Sequence, residues 1–505
     1  LNRILKIRRA DSGMKKQSFL YGAAVLAAAS LLCKIMSAAL KIPLDRFFLH
    51  EEGIAVYQSA YSIYNVFLAI CVTGIPIALS KLVAQSNKKE AASLCKSTLV
   101  IVSVFGALGA AGLVIFANPV ARLLSGGEEA VAASSLRMLA PALLVMGIVS
   151  SRRGYFQGNS DMTPSALSQL AESFTKVVLG IAMCSLTVKW GIAYGACGAI
   201  SGVSIGAVMS ALVLEVFFRR TKREKGAFSS ALALKVLKLS VPMTLGAFGF
   251  TGVMLADTLT VPKILAFGGM DTIERLKMFG YLTRANTIYN LPATIITAFT
   301  ASAVPAIACS IGEKNNAGVS ENSLKAIKLI FLVAMPCALG MGIFAKEILA
   351  LLYSGSQQWQ LLALTGAMIL IMPYVQTITA MLQTMGKVWQ PIWVSVGAIV
   401  LKAGLNFLFI RMFGIIGAPL STIAAFVPAM IINTIMLQRR VQIKGAIPIL
   451  VKMAVCALIS CISARAVYTL HPTPAMLLVA VAMAAVLYIA GILLSGCIRK
   501  DELKV

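Results

Sequence analysis

Residues 474–496 read PAMLLVAVAMAAVLYIAGILLSG, twenty-three residues without a charge, closely followed by Arg499-Lys500. As a helix rising about 1.5 Å per residue this run is about 35 Å long, enough to cross the ~30 Å hydrocarbon core of a bilayer. Lipid offers backbone polar groups no partner, so a lone spanning run must be helical. Working outward, polar breaks divide the chain into fourteen such segments, near 18–44, 54–80, 97–118, 132–151, 165–188, 191–218, 239–262, 278–310, 329–345, 359–384, 389–410, 412–438, 445–468 and 474–496. The breaks near 189 and 411 are tight. This predicts an all-α integral membrane protein of about fourteen transmembrane helices. The composition agrees: 59% of the 505 residues are apolar and 13% charged, where soluble proteins carry about 25% charged residues. A soluble enzyme, a DNA-binding domain and a secreted disulfide scaffold all fit poorly.

The excess of 45 Lys+Arg over 19 Asp+Glu would suggest nucleic acid in a soluble chain. In a membrane protein it sets topology. The two tails and every second loop hold 30 of the basic residues, among them Lys88-Lys89, Arg152-Arg153, Arg219-Arg220, Lys222-Arg223 and Arg439-Arg440. The opposite loops hold 10. By the positive-inside rule both termini are predicted cytoplasmic, in a multi-pass protein of the plasma membrane. Residues 1–17 carry six basic residues ahead of the first apolar run, like the front of a signal peptide. The run continues past Lys34 to Pro43, so it is read as the first helix, and Met14 is a candidate start of translation.

The chain also repeats itself. Ser62-Ile63-Tyr64-Asn65 returns as Thr287-Ile288-Tyr289-Asn290 at a shift of 225, and Gln157 and Lys176 return as Gln383 and Lys402 at a shift of 226. Weak matches at one common shift mark a duplication. Six spans separate each pair, and an even number preserves orientation, which predicts two parallel six-helix repeats. The expected organisation is a basic tail (1–17), an N-terminal lobe (18–218), a basic cytoplasmic linker (219–238), a C-terminal lobe (239–438) and an appended helix pair with a tail (439–505).

Ionisable groups inside spans are the functional signal, since each costs roughly 2.5 kcal/mol or more at mid-bilayer unless paired or hydrated. Five cations and two acids qualify: Lys34 and Lys41 in span 1, Glu172 and Lys176 at i,i+4 in span 5, Asp257 in span 7, Arg284 in span 8 and Lys402 in span 11. A net positive interior suits an anionic cargo, with Arg284 able to grip phosphate by its fork and Lys34 and Lys41 acting as point charges. Glu172–Lys176 reads either as a cavity group or as a structural ion pair. Lys41 and Asp257 either line the cavity, snorkel or meet each other, and Lys402 has no obvious in-span acid. Prolines at 76, 242, 292, 305, 336 and 373 fall in or near spans and predict bends. Tyr57, Tyr61, Tyr64 and Tyr289 either line a lipid path or pack between helices. The ten cysteines form no CxxC pair and only His50 and His471 are present, so no metal and no cofactor is called for.

Several stretches resemble a known family. Lys41-Ile42-Pro43-Leu44, Glu52-Gly53, Tyr57-Gln58, Tyr61 and the run Gly74-Ile75-Pro76 through Lys81-Leu82-Val83 are similar to the stage V sporulation protein B and polysaccharide exporter family. Arg153-Gly154-Tyr155-Phe156-Gln157-Gly158 and the span 8 run from Arg284-Ala285 through Leu291-Pro292 to Pro305-Ala306 extend the likeness over almost the whole chain. This family lies in the multidrug/oligosaccharidyl-lipid/polysaccharide exporter superfamily and is related to the lipid II flippases. The resemblance implies two six-helix lobes around a central cavity with two extra C-terminal helices. It also implies outward flipping of an undecaprenyl-pyrophosphate-linked sugar, a peptidoglycan precursor in a sporulation setting. Lys34 and Lys41 stand near the first-helix cations of the related flippases, and Arg284 matches their eighth-helix arginine. Lysines replace arginines in span 1, and span 2 has no basic residue before Lys81.

The leading expectation is therefore a transporter and not an enzyme. Its partners would be a lipid-linked sugar pyrophosphate, membrane lipids, a coupling cation and cell-wall synthesis proteins, with no nucleic acid. An ion-coupled multidrug exporter of the same superfamily would need interior carboxylates, for which only Glu172 and Asp257 are candidates. A membrane-embedded transferase would need clustered acids or a partnered histidine, and a non-transporting cell-wall scaffold would not need buried charge.

Overall fold

A computed structural model describes residues 19–69, 74–125, 129–221, 224, 226–353, 355–441 and 446–496. The expected basic tail 1–17, the candidate start at Met14 and the Arg499-Lys500 tail lie outside them, as do Lys222 and Arg223 of the linker. Among the described residues the regular structure is helical throughout, with no strand. The helices are α1 (Phe19–Pro43), α2 (His50–Leu68), α3 (Ile75–Gln85), α4 (Lys88–Ile115), α5 (Ala117–Ser125), α6 (Glu129–Met138), α7 (Ala140–Gly158), α8 (Thr163–Thr187), α9 (Ile192–Arg220), α10 (Ser230–Phe267), α11 (Thr272–Gly312), α12 (Asn316–Ile343), α13 (Ala345–Leu352), α14 (Trp359–Thr384), α15 (Trp389–Phe413), α16 (Gly417–Gln438), α17 (Ala446–Leu470) and α18 (Pro474–Leu494). Among the described residues nine stretches are long and apolar enough to cross a membrane.

Polar residues fix where helices start. Asn87 accepts from the Glu90 amide at the head of α4, and Thr473, followed by Pro474 in the first turn, caps α18. The two tight breaks are short 3₁₀ turns, Val188–Trp190 and Gly414–Ile416. Gly191, at φ 133°, opens α9, and a Cβ on Gly417 would stand 2.3 Å from the Phe409 backbone, so these turns need glycine. Pro76 sits in the first turn of α3, where its missing amide hydrogen costs nothing.

The chain divides into two compact units. Unit one runs up to Leu40 and from Ser59 to Thr251, and unit two comprises Lys41–Gln58 and the chain from Gly252 onward. In unit one α9 packs along α8 and α7, and α7 packs on α3 and α4. The α8–α9 seam is made of small residues: a Cβ on Gly202 would stand 2.6 Å from Gly180, and one on Gly206 2.7 Å from the Glu172 carbonyl. Spaced every four residues from Gly198, these glycines let two backbones close in, where lipid provides no hydrophobic drive and packing must hold helices together. In unit two α11, α12 and α14 pack mutually, α15 pairs with α16, and α17 with α18. Tyr57, Tyr64 and Tyr289 are buried packing residues.

Element lengths recur at the shift seen in the sequence. The 25-residue α8 and its 3₁₀ turn, 163–190, are matched by the 25-residue α15 and its turn, 389–416. The 28-residue α4, Lys88–Ile115, has a counterpart of equal length in α12, Asn316–Ile343, two residues further along than that shift. One apolar boundary moves: α7 continues to Gly158, beyond residue 151, so Arg152 and Arg153 are buried helix residues and not members of a loop.

Candidate functional site

In unit one the interior charges gather where α1, α7, α8 and α9 meet. Ser30 on α1 donates to Gln169 on α8 at 2.9 Å, and two turns further along both helices Lys176 donates to Ser37 at 2.9 Å. The ammonium of Lys176 also faces the Tyr61 ring at 5.7 Å. Glu172 does not pair with Lys176, correcting the i,i+4 expectation. Its carboxylate accepts from Arg153 at 2.9 Å, and Arg153 also donates to Ser168 at 3.1 Å and Ser210 at 2.8 Å. A guanidinium fork with three oxygen partners from two other helices outcompetes a flexible lysine on the same helix. The one carboxylate thus answers Arg153 and leaves Lys176 to a hydroxyl and a ring. Lys34 stands on α1 at i+4 from Ser30 and i−3 from Ser37, hence on the same stripe. Its side chain is exposed, and no acidic partner reaches it among the described residues.

In unit two Arg284 and Lys402 are each answered by acid. The π-helical turn Leu44–Leu49 and the left-handed His50 (φ 50°) swing the chain so that Asp45 and Glu51 meet one guanidinium. Arg284 donates from Nε and Nη2 to Asp45 at 2.9 and 2.6 Å, and from Nη1 to Glu51 at 2.7 Å. Tyr353 stacks 4.9 Å from its centre, and Arg284 is 3% exposed. One turn before it, Gly280 allows the approach, since a Cβ there would stand 2.1 Å from the Glu51 carbonyl oxygen. Arg284, predicted as a free phosphate grip, is instead held by two carboxylates from the segment between the first two predicted spans.

Lys402 is fully buried and donates to Asp257 at 2.5 Å and to Thr422 at 2.7 Å. Asn406 bridges Asp257 and Thr260, and Ser421 donates to the Asn406 carbonyl. This satisfied network joins α10, α15 and α16. It corrects two expectations: Lys402 does have an in-span acid, and Asp257 is its partner and not that of Lys41. Lys41, in the last turn of α1, donates to Gln58 at 2.7 Å.

Sequence reasoning missed Asp45, Glu51 and Arg153 as site residues. The first two were hidden because a helical span was expected to end before them. Arg153 was hidden because an Arg-Arg pair beside an apolar run reads as a topology signal.

A profile of the polysaccharide biosynthesis protein family matches residues 19–311. Three proteins of Bacillus subtilis (strain 168) are similar to this chain. The uncharacterized membrane protein YabM is 27% identical over 85% of this chain and 81% of its own length. Stage V sporulation protein B is 25% identical over 97% and 98%, and the lipid II flippase MurJ is 24% identical over 83% and 82%. Among solved structures, a lipid II flippase MurJ in an inward closed conformation matches with a TM-score of 0.72 at 15% identity, covering 94% of this chain and all of that one. An inward-facing multidrug resistance MATE family transporter of the MOP superfamily matches at 0.69 and 16% identity, covering 83% and 98%. At such identities the likeness is one of fold: the chain has the all-α membrane-transporter fold of these proteins.

Proposed function

Since this chain belongs to the polysaccharide biosynthesis protein family, we propose that it is a flippase that moves an anionic lipid-linked sugar outward across the plasma membrane by alternating access. The cargo class is an undecaprenyl-pyrophosphate-linked saccharide of the peptidoglycan-precursor type, the class that the names stage V sporulation protein B and lipid II flippase suggest. The observation that carries this reading is Lys34, an exposed cation on an apolar span with no acidic partner among the described residues, beside a buried cluster in which Glu172 pairs with Arg153 and Lys176 is left to a serine hydroxyl. An unanswered positive charge in a span is expensive unless water or an anion meets it. A pyrophosphate would supply that anion, and the serine hydroxyls of the stripe would supply further donors. Lys41 is proposed as a second point contact. Arg284 is proposed to contact pyrophosphate only when Asp45 and Glu51 release it.

An organic-cation exporter would draw on interior carboxylates. Glu172 and Asp257 are each already engaged by a cation, at 2.9 and 2.5 Å, which speaks against that reading.

The test is reconstitution of the full chain in liposomes with a fluorescent lipid II-type pyrophosphate and, separately, a capsule-type lipid pyrophosphate. Lys34→Ala is expected to slow flipping at least tenfold while the protein melts at an unchanged temperature. Unchanged flipping in Lys34→Ala, with Arg284→Ala also active, would sink the proposal.

A further inference from the structure

At one end of unit one, apart from the interior charges, lies a cavity of about 740 Å³. Its walls come from the first turns of α4 (Ala92, Lys96, Leu99), from Arg152 on α7, from the last turn of α9 (Phe218 to Arg220) and from the chain beyond it (Glu224, Gly226). Residues 226–229 of the linker are held against α4. The Ala227 amide donates to Ser93 at 3.2 Å, the Ser229 amide to Ser97 at 2.9 Å, and a Cβ on Gly226 would stand 2.3 Å from the Ala92 carbonyl oxygen. The linker thus lies directly on α4, and only glycine fits at the closest point.

The floor is a built cation. Arg152, 8% exposed, lies 3.5 Å above the Phe218 ring, donates from Nε to Glu215 at 3.1 Å and reaches Cys95 with Nη1. Glu215 holds Arg219 by its Nε as well, at 3.2 Å, so both terminal nitrogens of Arg219 remain for a ligand. Lys96 and Arg220 are exposed and form no ion pair with described residues. Counting Glu215 and Glu224 against Lys96, Arg152, Arg219 and Arg220, the described residues at the cavity keep an excess of two positive charges. Ala92, Leu99 and Phe218 give it an apolar side.

We propose that this cavity is a binding site for a phosphate ester, separate from the transported cargo. The cationic rim takes the phosphate, with the Arg219 fork and the Lys96 and Arg220 point charges as its grips. The apolar side accommodates the glycerol and first methylenes of an anionic phospholipid, or the carbon part of a soluble phosphate ester. Clusters of basic residues at the end of a membrane helix attract anionic lipid in this way. Bound phosphate would neutralise the repulsion among the cations where the linker crosses α4.

Native mass spectrometry of the full chain in detergent tests the site, with phosphatidylglycerol and phosphatidylcholine as lipid probes and glycerol 3-phosphate as the soluble probe. The wild type is expected to retain phosphatidylglycerol at least fivefold over phosphatidylcholine, and Lys96→Gln/Arg219→Gln/Arg220→Gln to lose about tenfold of that retention. Lys96→Gln alone, which leaves the Glu215 pairs intact, is expected to lose part of it. Lys235→Gln/Lys238→Gln, on the exposed face of α10, and Arg284→Gln, in the proposed transport machinery, are expected to retain wild-type binding. Displacement of phosphatidylglycerol by glycerol 3-phosphate would identify a soluble ester as the source, and resistance to it a lipid. The site is overturned if the triple and single variants both hold phosphatidylglycerol like wild type. It is equally overturned if the α10 control loses as much as the triple variant, or if the wild type holds no phosphate probe above phosphatidylcholine.

Discussion

Lys176 and Lys402 hold the same place in helices of the same length, the fourteenth residue of a 25-residue helix that ends in a 3₁₀ turn. Both are buried. Their partners differ. Lys402 meets Asp257 within a closed network of amide and hydroxyl groups, so unit two internalises a neutral pair. Lys176 meets a serine hydroxyl and an aromatic ring, and the nearest acid on its own helix is committed to Arg153. The same lysine is thus structural mortar in one unit and a source of residual positive field in the other. With Asp45, Glu51 and Arg153 counted as interior, unit two balances Lys41, Arg284 and Lys402 against Asp45, Glu51 and Asp257, while unit one sets Lys34, Arg153 and Lys176 against Glu172.

The largest effect is expected where the charge is fully answered. Lys402→Ala or Asp257→Ala leaves one buried ion without its partner and should cost about 3–5 kcal/mol of stability, read as a large drop in melting temperature in detergent. The double change Lys402→Met/Asp257→Leu should recover most of that loss, since a buried pair is often replaceable by apolar packing. Equal losses in single and double variants would show that the network, not the ion pair, holds α10 to α15 and α16. Next, giving Lys176 the carboxylate it lacks should make unit one resemble unit two. Ser37→Asp is expected to slow lipid-pyrophosphate flipping about tenfold, equivalent to about 1.4 kcal/mol, at an unchanged melting temperature. Full transport in that variant would remove Lys176 from the proposed cargo path. Ser37→Ala removes the acceptor for Lys176 and a donor to the Cys33 carbonyl and should cost about 1 kcal/mol of stability. The smallest effect belongs to the half-exposed pair of Lys277 and Glu52, at 3.4 Å. Lys277→Ala should change stability by less than about 1 kcal/mol, and a larger loss would mean that the α2–α11 contact relies on more than the Arg284 cluster.

The spans were legible because crossing a bilayer imposes a length and a polarity that any window of about twenty residues displays. The shift of 226 was legible for a related reason. Lys176, Lys402 and the tight breaks after them keep their spacing, and the helices confirm that spacing to the residue. The ends of α7 and α1 were not legible. Arg152 and Arg153 satisfy the composition of a loop, yet carboxylates on other helices make their burial tolerable. Asp45 and Glu51 look like loop acids until the π-helical turn and the left-handed His50 aim both at Arg284.

The sequence by itself therefore determined the class of protein, the helical runs, the repeated register and the list of interior charges, since each follows from residue type and spacing along one chain. Which charge answers which was decided only by the tertiary structure. Arg284 meets a carboxylate 239 residues away and Lys402 one 145 residues away. Such pairings depend on helix rotation and on close approach at glycines such as Gly202 and Gly280. At the same place in two matched helices, the residue presented by a neighbouring helix decides whether a lysine is neutralised by acid or met only by a hydroxyl.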